Sequence, residues 1–234
     1  MPKTFLKNCK AYLLDIFFPN RCPFCDDIIR WDKFVCEGCS NELIDASEQV
    51  CHKCGNYSCV CNGTNNFDNA YAALFFDDGN VNNAIYDFKR TGMSNLAEYT
   101  AETLCRYIEC ADVITSVPMG KYKQRSRGHN QADVLAKCVG EHLNTSIKCN
   151  LLYKIDTKEE QHLFSEEERK ERVKDLFYGS DIDLSGKTVV LCDDVMTTGA
   201  TVNRCAELLK EMGAEKVIVC VCAVTRHKKS QEEG

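Results

Sequence analysis

Residues 188–201 read TVVLCDDVMTTGAT and divide into an apolar run, two aspartates and a threonine-rich loop. The run 188–192 predicts a strand covered on both faces, as strands of parallel sheets are. Residues 202–212 then carry apolar side chains at helical spacing, and Gly213 ends that helix. The stretch therefore predicts a strand, a loop and a helix, with its polar residues at the carboxyl end of the strand, where open α/β sheets bind ligands.

The loop between this strand and helix has the features of an anion site. Its backbone N–H groups and the positive end of the helix dipole face one point, and Gly199 permits close approach or a positive φ. The paired aspartates suit a polyol because carboxylates accept hydrogen bonds from vicinal hydroxyls, and we expect them to stay ionised near a bound cation. A phosphate site beside a diol acceptor predicts a 5-phosphoribosyl ligand such as 5-phosphoribosyl 1-pyrophosphate (PRPP). The predicted binding residues are Asp193, Asp194, Val195, Met196, Thr197, Thr198, Gly199, Ala200 and Thr201, with Asp193 and Asp194 as the catalytic candidates.

An aspartate pair after a strand also occurs in two unrelated kinds of site, which fit this sequence less well. A Walker B element requires a G-x4-G-K-[ST] phosphate loop elsewhere, and the Gly-Lys-Thr at 186–188 has Asp181 where the first glycine belongs. A phospho-acceptor site of a receiver-like domain leaves the Thr-Thr-Gly loop without a role. A purely structural strand, turn and helix remains as the alternative to a ligand site.

From residue 67 onward, apolar runs alternate with helical segments, which is typical of βα units around a mainly parallel sheet. We predict an α/β fold in which helices flank this sheet. The predicted strands are 70–76, 113–117, 147–153, 188–192 and 216–224, and the predicted helices are 81–90, 96–109, 130–142, 165–175 and 202–212. A short amphipathic helix is predicted for residues 1–18.

The bulk composition excludes several classes of protein. The chain has 234 residues, 44% hydrophobic and 27% charged, with a formal net charge of -6. Such a balance gives no general attraction to nucleic acid or anionic membrane, so any such binding must be local. Because no run approaches about 18 apolar residues and the N-terminus lacks the pattern of a signal peptide, we expect a cytoplasmic protein with no membrane insertion.

Eight of the seventeen cysteines fall in close pairs within residues 22–61. The first array is C-x2-C, ten residues, then C-x2-C, which predicts a tetrahedral Zn²⁺ site with a structural role. The second array is tighter and closes with C-x-C, so we predict one or two zinc ions, with His52 either a substitute ligand or an exposed side chain. The predicted ligands are Cys22, Cys25, Cys36, Cys39, Cys51, Cys54, Cys59 and Cys61. We therefore predict two domains, a helix and zinc-ribbon module at 1–66 and the α/β domain at 67–234.

Thirteen consecutive positions, 189–201, resemble the PRPP-binding motif of type I phosphoribosyltransferases. With a double zinc ribbon ahead of it, the chain resembles the ComF (competence protein F) family, bacterial proteins linked to DNA uptake in natural transformation. The resemblance extends to Phe88-Lys89, to SVPM at 116–119, to RSRGHNQ at 125–131, and to Gln161, Leu163, Arg169 and Phe177. It departs from the family at His129, which replaces an aromatic residue, at Arg172, which replaces Asn, and at Leu176, which replaces Ala.

The resemblance implies a pyrophosphate-binding loop after the second strand. The residues that it brings to pyrophosphate are Val117, Pro118, Met119, Lys89, Arg125 and Arg127. Lys121 and Lys123 join the two arginines in a basic loop that would neutralise pyrophosphate or a nucleic-acid backbone, unless it is merely solvated.

Two hypotheses about function follow. In the first, Mg²⁺ and PRPP bind, a nitrogen nucleophile attacks the anomeric carbon and pyrophosphate leaves, although the sequence shows no pocket for a base. In the second, a non-enzymatic protein retains the PRPP site and serves DNA uptake, with single-stranded DNA and competence helicase or recombination proteins as partners implied by the resemblance. Release of pyrophosphate favours the first hypothesis, and salt-dependent binding of single-stranded DNA favours the second.

Overall fold

The computed structural model describes residues 18–57, 59, 61, 65–76, 79–155 and 176–226. Its strands in chain order are β1 (Asn69–Phe75), β2 (Val113–Ser116), β3 (Leu152–Lys154), β4 (Phe177–Gly179), β5 (Thr188–Met196) and β6 (Lys216–Val224). Its helices are α1 (Glu37–Glu42), α2 (Gly79–Thr91), α3 (Asn95–Leu104), α4 (Lys121–Arg127), α5 (Gln131–Leu143) and α6 (Ala200–Glu211). Short 3-10 turns occupy Ala46–Glu48 and Cys105–Tyr107.

Within the described residues, four parallel strands form the central sheet in the order β1-β6-β5-β2. The two middle strands are the most apolar, and residues 189–192 and 217–224 are buried. Cys192, Cys205, Cys220 and Cys222 are buried free thiols, which act here as small hydrophobic side chains. The α/β fold with a mainly parallel sheet is therefore confirmed.

Two apolar clusters cover the faces of this sheet. On one face, α2, α3 and α5 pack around Ile85, Phe88, Leu104 and Leu135. On the other face lie α6 and the antiparallel pair β3–β4, which contribute Leu152, Phe177 and Leu209, among others. The sheet is thus a middle layer between two apolar layers.

The cysteine-rich segment lies against both faces and one edge of the sheet. Cys22, Phe24 and Ile29 belong to the first cluster, whereas Ala46 and Val50 belong to the second. At the edge strand β1, the Ser47 hydroxyl donates to the Ala72 carbonyl (2.9 Å) and accepts from the Ala72 N–H (3.0 Å). These bonds satisfy backbone groups that an edge strand would otherwise leave unpaired.

Several predicted elements differ from the structure. The strand predicted at 147–153 is wrong, because Ile147 makes a single bridge to Ile114 and the strand begins only at Leu152. The basic segment predicted as a loop is the helix α4, and β4 was not predicted. The predicted helices 1–18 and 165–175 lie outside the described residues, apart from Phe18. The described helices are all too short or too polar to span a lipid bilayer.

Candidate functional site

The carboxyl ends of β2 and β5 form the candidate site. These strands are neighbours, and α5, which precedes β5, lies on the opposite face of the sheet from α6, which follows it. Loops that diverge to opposite faces leave a crevice between adjacent strand ends, which is where open α/β sheets bind ligands. Every described residue predicted to bind PRPP lies on β5, on the loop after it or in the first turn of α6.

Asp193 and Asp194 lie within β5 instead of following it, because the strand continues to Met196. Both carboxylates accept a hydrogen bond from the next backbone N–H, Asp193 from Asp194 (2.9 Å) and Asp194 from Val195 (2.7 Å). These bonds hold the side chains close to the strand end. Both residues remain partly accessible, so the pair is available to a ligand.

The two aspartates have different electrostatic surroundings. Burial and the neighbouring Asp194 carboxylate raise the pKa of Asp193 well above its ordinary value, although Lys89 opposes the shift. The Lys89 ammonium lies 3.3 Å from a carboxylate oxygen of Asp194. Asp193 therefore holds its proton more tightly than an ordinary aspartate does, whereas we expected both groups to be ionised beside a cation.

The loop 197–199 presents threonines to solvent and ends in a helix start. Thr197 and Thr198 are exposed, while Gly199 has φ +75° and caps α6. A side chain is strained at such a φ, so glycine permits this turn directly before the helix. The first amides of α6 and its dipole therefore face the loop, which is the arrangement of an anion site.

Lys89 is held in the site by residues of the RSRGHNQ stretch. The Gln131 side-chain amide, which is 1% exposed, donates to the Lys89 carbonyl (2.8 Å). The imidazole of His129 lies 3.4 Å from the Phe88 carbonyl and 3.0 Å from the Gln131 side-chain nitrogen. This contact network joins the end of α2 to the start of α5, and so fixes Lys89 relative to β5.

Asn130 and Ser116 hold the loop after β2. Asn130 caps α5 by accepting from the Ala132 N–H (3.3 Å), and its side chain donates to the Val117 carbonyl (3.0 Å). The Ser116 hydroxyl donates to Asp133 in the first turn of α5. The start of the loop is therefore anchored to the amino end of α5 by polar contacts.

Val117 does not offer its N–H to pyrophosphate as the resemblance implied. That N–H donates to the Cys192 carbonyl (2.9 Å), and the Val117 side chain is buried. Because proline has no N–H, the amides that this loop could offer an anion begin at Met119. Arg125 and Arg127 lie beyond it on α4, where all seven residues are exposed.

Two four-cysteine clusters flank the sheet. We call Cys22, Cys25, Cys36 and Cys39 the first ribbon cluster, and Cys51, Cys54, Cys59 and Cys61 the second. Within each cluster the sulfur atoms all lie within 4.8 Å of one another, a spread that suits a single tetrahedral ion. His52 belongs to neither cluster, since its Nε2 lies 2.7 Å from the Ser47 carbonyl and its ring packs on Tyr71.

Backbone amides lower the pKa of one cysteine in each cluster, whereas the pKa values of Cys25, Cys39, Cys54 and Cys59 are raised. At Cys51, burial raises the pKa, but hydrogen bonds from the Lys53 and Cys54 amides and from Cys59 outweigh it and lower the pKa to about 7. Burial at Cys22 is likewise outweighed by backbone donors at Cys36, Phe24 and Cys25, so its pKa is lowered. Amides that stabilise thiolates suit Zn²⁺, which binds the deprotonated sulfur.

Comparisons with known proteins agree with both parts of this architecture. Residues 141–234 match the phosphoribosyl transferase domain, and residues 13–68 match the double zinc ribbon domain. Competence protein F of Haemophilus influenzae is 30% identical over 138 residues, which cover 58% of this chain and 54% of the relative. The chain therefore combines a double zinc ribbon with a phosphoribosyltransferase domain, and it is similar to competence protein F.

Other similar proteins also match part of the chain. DNA utilization protein YhgH of Escherichia coli is 33% identical over 116 residues, 49% of this chain and 51% of the relative. The matches thus span about half the length of these curated relatives. Among solved structures, the glutamine PRPP amidotransferase from B. subtilis is 22% identical with a TM-score of 0.39, and the match covers 56% of this chain and 26% of that one.

Sequence reasoning missed two positioning residues, and it grouped Met196 with the ligand contacts. Asn130 and Gln131 were noted only as part of the ComF resemblance, although an Asn before a helical pattern is an N-cap signal. The Met196 side chain is 2% exposed and packs inward. Gln161, Arg169 and Arg172 lie outside the described residues.

Proposed function

We propose that this ComF-like protein binds PRPP with Mg²⁺ at the carboxyl end of β5 and acts in DNA uptake, as the names of its relatives suggest. The observation that supports the ligand is the order of groups along one strand end. Asp193 and Asp194 precede an exposed threonine loop, a left-handed Gly199 and the amino end of α6. A ribose diol offers hydroxyl donors to the carboxylates, and its 5-phosphate offers negative charge to the amides of the loop and helix.

Each group in the site has a proposed role. The aspartates accept from the ribose hydroxyls, the Thr197–Thr201 segment binds the 5-phosphate, and Lys89 counters the charge of the aspartate pair. Mg²⁺ would neutralise pyrophosphate. If an acceptor nitrogen attacks the anomeric carbon, the chain contributes orientation and charge placement, and no protein nucleophile is required.

Calorimetry with Mg²⁺ and PRPP tests the site directly. The change Asp193→Asn/Asp194→Asn should weaken PRPP binding at least about 100-fold, because it removes two charge-assisted acceptors. Asp181→Asn/Asp183→Asn is the matched control, since it makes the same change of charge at exposed positions before β5. Wild-type affinity in the first variant would remove the site assignment.

A second candidate function is supported by α4. Lys121, Lys123, Arg125 and Arg127 are all exposed on this short helix, directly after the loop that borders the site. Although the chain as a whole has a net charge of -6, a local cluster of four basic side chains attracts the phosphates of a nucleic-acid backbone. We propose single-stranded DNA as its partner.

Salt titrations of oligonucleotide binding test this candidate. Arg125→Ala/Arg127→Ala should weaken binding of single-stranded DNA and lower the slope of log affinity against log salt by about one to two. Lys187→Ala/Lys216→Ala removes two lysines at the amino ends of β5 and β6 and should leave the slope unchanged. Equal slopes in all three proteins would reject α4 as the DNA contact.

We propose that each ribbon cluster binds one structural Zn²⁺. Metal analysis should therefore give two zinc ions per chain. A value near one would remove the second site. We also propose a boundary at residue 66, between the ribbon module at 1–66 and the phosphoribosyltransferase-like domain at 67–234, and a cytoplasmic location.

A further inference from the structure

Residues close to the second ribbon cluster contact both flanks of the loop 197–199, which we call the phosphate loop. Met196 precedes residues 197–199 as the last residue of β5, and Asn203 follows them in the first turn of α6. Gly55, next to the ligand Cys54, contacts Met196, and Asn66, five residues after the ligand Cys61, contacts Asn203.

The contact between Gly55 and Met196 leaves no spare room. A Cβ atom at Gly55 would lie 2.2 Å from Cε of Met196 and 3.1 Å from Cβ of Ala70. Gly55 also has φ +72°, and its N–H donates to the Cys51 carbonyl (2.7 Å), so the backbone between two zinc ligands fixes its position. A glycine is required here both for conformation and for close approach.

Met196 carries this contact to the loop. Its side chain is 2% exposed, and its Sδ lies 3.8 Å from the position that a Cβ would take at Gly199. Its backbone carbonyl accepts from the Thr225 N–H (3.2 Å), so the residue is also part of the sheet. A side chain packed between a zinc knuckle and the helix cap can transmit a displacement of one to the other, because close-packed interiors yield little.

The second contact acts on the other side of the loop. The backbone N–H of Asn66 donates to the side-chain carbonyl of Asn203 (2.7 Å). The Asn203 N–H in turn donates to the Gly199 carbonyl (2.9 Å), which is the first bond of α6. The amino end of α6, where we place the phosphate, is therefore tied to the chain that leaves the second ribbon.

We propose that Met196 is a positioning residue through which zinc at the second ribbon cluster sets the affinity of the phosphate loop for PRPP. The inference rests on the proposed function, since it concerns the same ligand. Cys22 of the first ribbon cluster and the nearby Phe24 pack with α2 and α3 on the other face of the sheet, so the proposal assigns the coupling to the second cluster alone. Without zinc in the second cluster, Gly55 loses its fixed backbone, and Met196 gains room to move.

Linkage between the two ligands provides the test. If zinc at the second cluster raises PRPP affinity by some factor, PRPP raises zinc affinity there by the same factor. We expect saturating Mg²⁺ and PRPP to tighten one of the two zinc ions about tenfold in competition with a chromogenic chelator. Asp193→Asn/Asp194→Asn at the same PRPP concentration controls for chelation of zinc by PRPP itself.

Variants of Met196 test whether the linkage between zinc and PRPP depends on the contact of Met196 with Gly55. Met196→Ala should weaken PRPP binding about tenfold and abolish the effect of PRPP on zinc, with two zinc ions still bound. Met196→Leu, which conserves volume, should restore both. Cys51→Ser/Cys54→Ser should remove the zinc ion that responds to PRPP, whereas Cys22→Ser/Cys36→Ser should remove the one that does not.

The failures of the two proposals differ. If wild type binds PRPP but both zinc ions are held equally with and without it, the coupling is wrong and the proposed function stands. Unchanged PRPP affinity in Met196→Ala would also overturn the coupling. If wild type does not bind PRPP at all, the proposed function fails and the coupling fails with it.

Discussion

The two ribbon clusters have the same set of four thiolates but contact different parts of the domain. The first is attached to helices: Phe24 packs edge-on against Tyr99 of α3, and the Asn95 side-chain amide donates to the Arg21 carbonyl (2.8 Å). The second is attached to strands and the phosphate loop, through the Ala70 N–H bond to the His52 carbonyl (2.8 Å) and through Met196. The two clusters therefore have the same ligand set but different positions in the domain. We infer that the surface each cluster contacts decides its structural role.

Removal of either metal site should have the largest effect. Cys22→Ser/Cys36→Ser and Cys51→Ser/Cys54→Ser should each lower Tm by about 10 °C or more, because loss of a structural metal costs several kcal/mol. Thermal unfolding and PRPP calorimetry of both variants measure the comparison. PRPP affinity should fall only in the second variant, and an equal fall in both would erase the distinction between the clusters.

Glycine substitutions test the contact at the second cluster without removing a ligand. Gly55→Ala should cost about 2–4 kcal/mol, the sum of a left-handed backbone and an overlap with Met196 and Ala70. Gly186→Ala is the matched control, since Gly186 has φ +68° and open space around it, so its cost should be about 1–2 kcal/mol. Urea unfolding measures both, and equal costs would mean that the Met196 side chain gives way freely.

The chain between the clusters is tested by Ser47→Ala. Ser47 is 1% exposed, and both hydrogen bonds of its hydroxyl are to Ala72 in β1. Its loss should cost about 1–3 kcal/mol because it leaves buried backbone groups unpaired. Zinc content should stay at two, since the ligands are untouched, and loss of zinc would show that attachment to the sheet is needed to form a cluster.

Asp193→Asn changes the ligand site and leaves both clusters intact, and it should have the smallest effect on stability. Its raised pKa means that folded protein binds this proton more tightly than the unfolded chain does. The group therefore adds stability below its unfolded pKa of about 3.9, and that contribution is lost as pH rises through the raised pKa. At neutral pH, Asp193→Asn should raise Tm by about 2–4 °C, for about 1 kcal/mol, while PRPP binding is weakened.

Thermal unfolding of this variant and of wild type across pH checks the sign. The advantage of Asp193→Asn should shrink as pH falls towards 4. A variant that is less stable than wild type at every pH would contradict the electrostatic origin of the effect.

The predictions from sequence succeeded where a signal is local. The apolar run 216–224 coincides with β6, and the helical periodicities at 81–90 and 130–142 lie within one to two residues of α2 and α5. Cysteine spacing likewise identified both clusters, because ligands that bind one ion must be close in the chain or returned by a short loop.

Other features could not be read from neighbouring residues. The strand β5 extends past the aspartates because β6 continues beside it to Val224, and a pairing partner 28 residues away decides where a strand ends. The helix α4 has no buried residue, so it has no apolar period to detect. Asn130 and Gln131 act on residues 13 and 42 positions away, respectively.

The sequence by itself identified the two four-cysteine sets and most strands and helices of the α/β domain, because these depend on residue types at short spacing. The tertiary structure alone decided that Lys89 approaches Asp194, that Gln131 holds Lys89, and that Met196 lies between a zinc knuckle and the phosphate loop. Such contacts join residues from tens of positions to well over a hundred positions apart. Packing on the two faces of the sheet brings these residues together, and the local preferences of the chain do not.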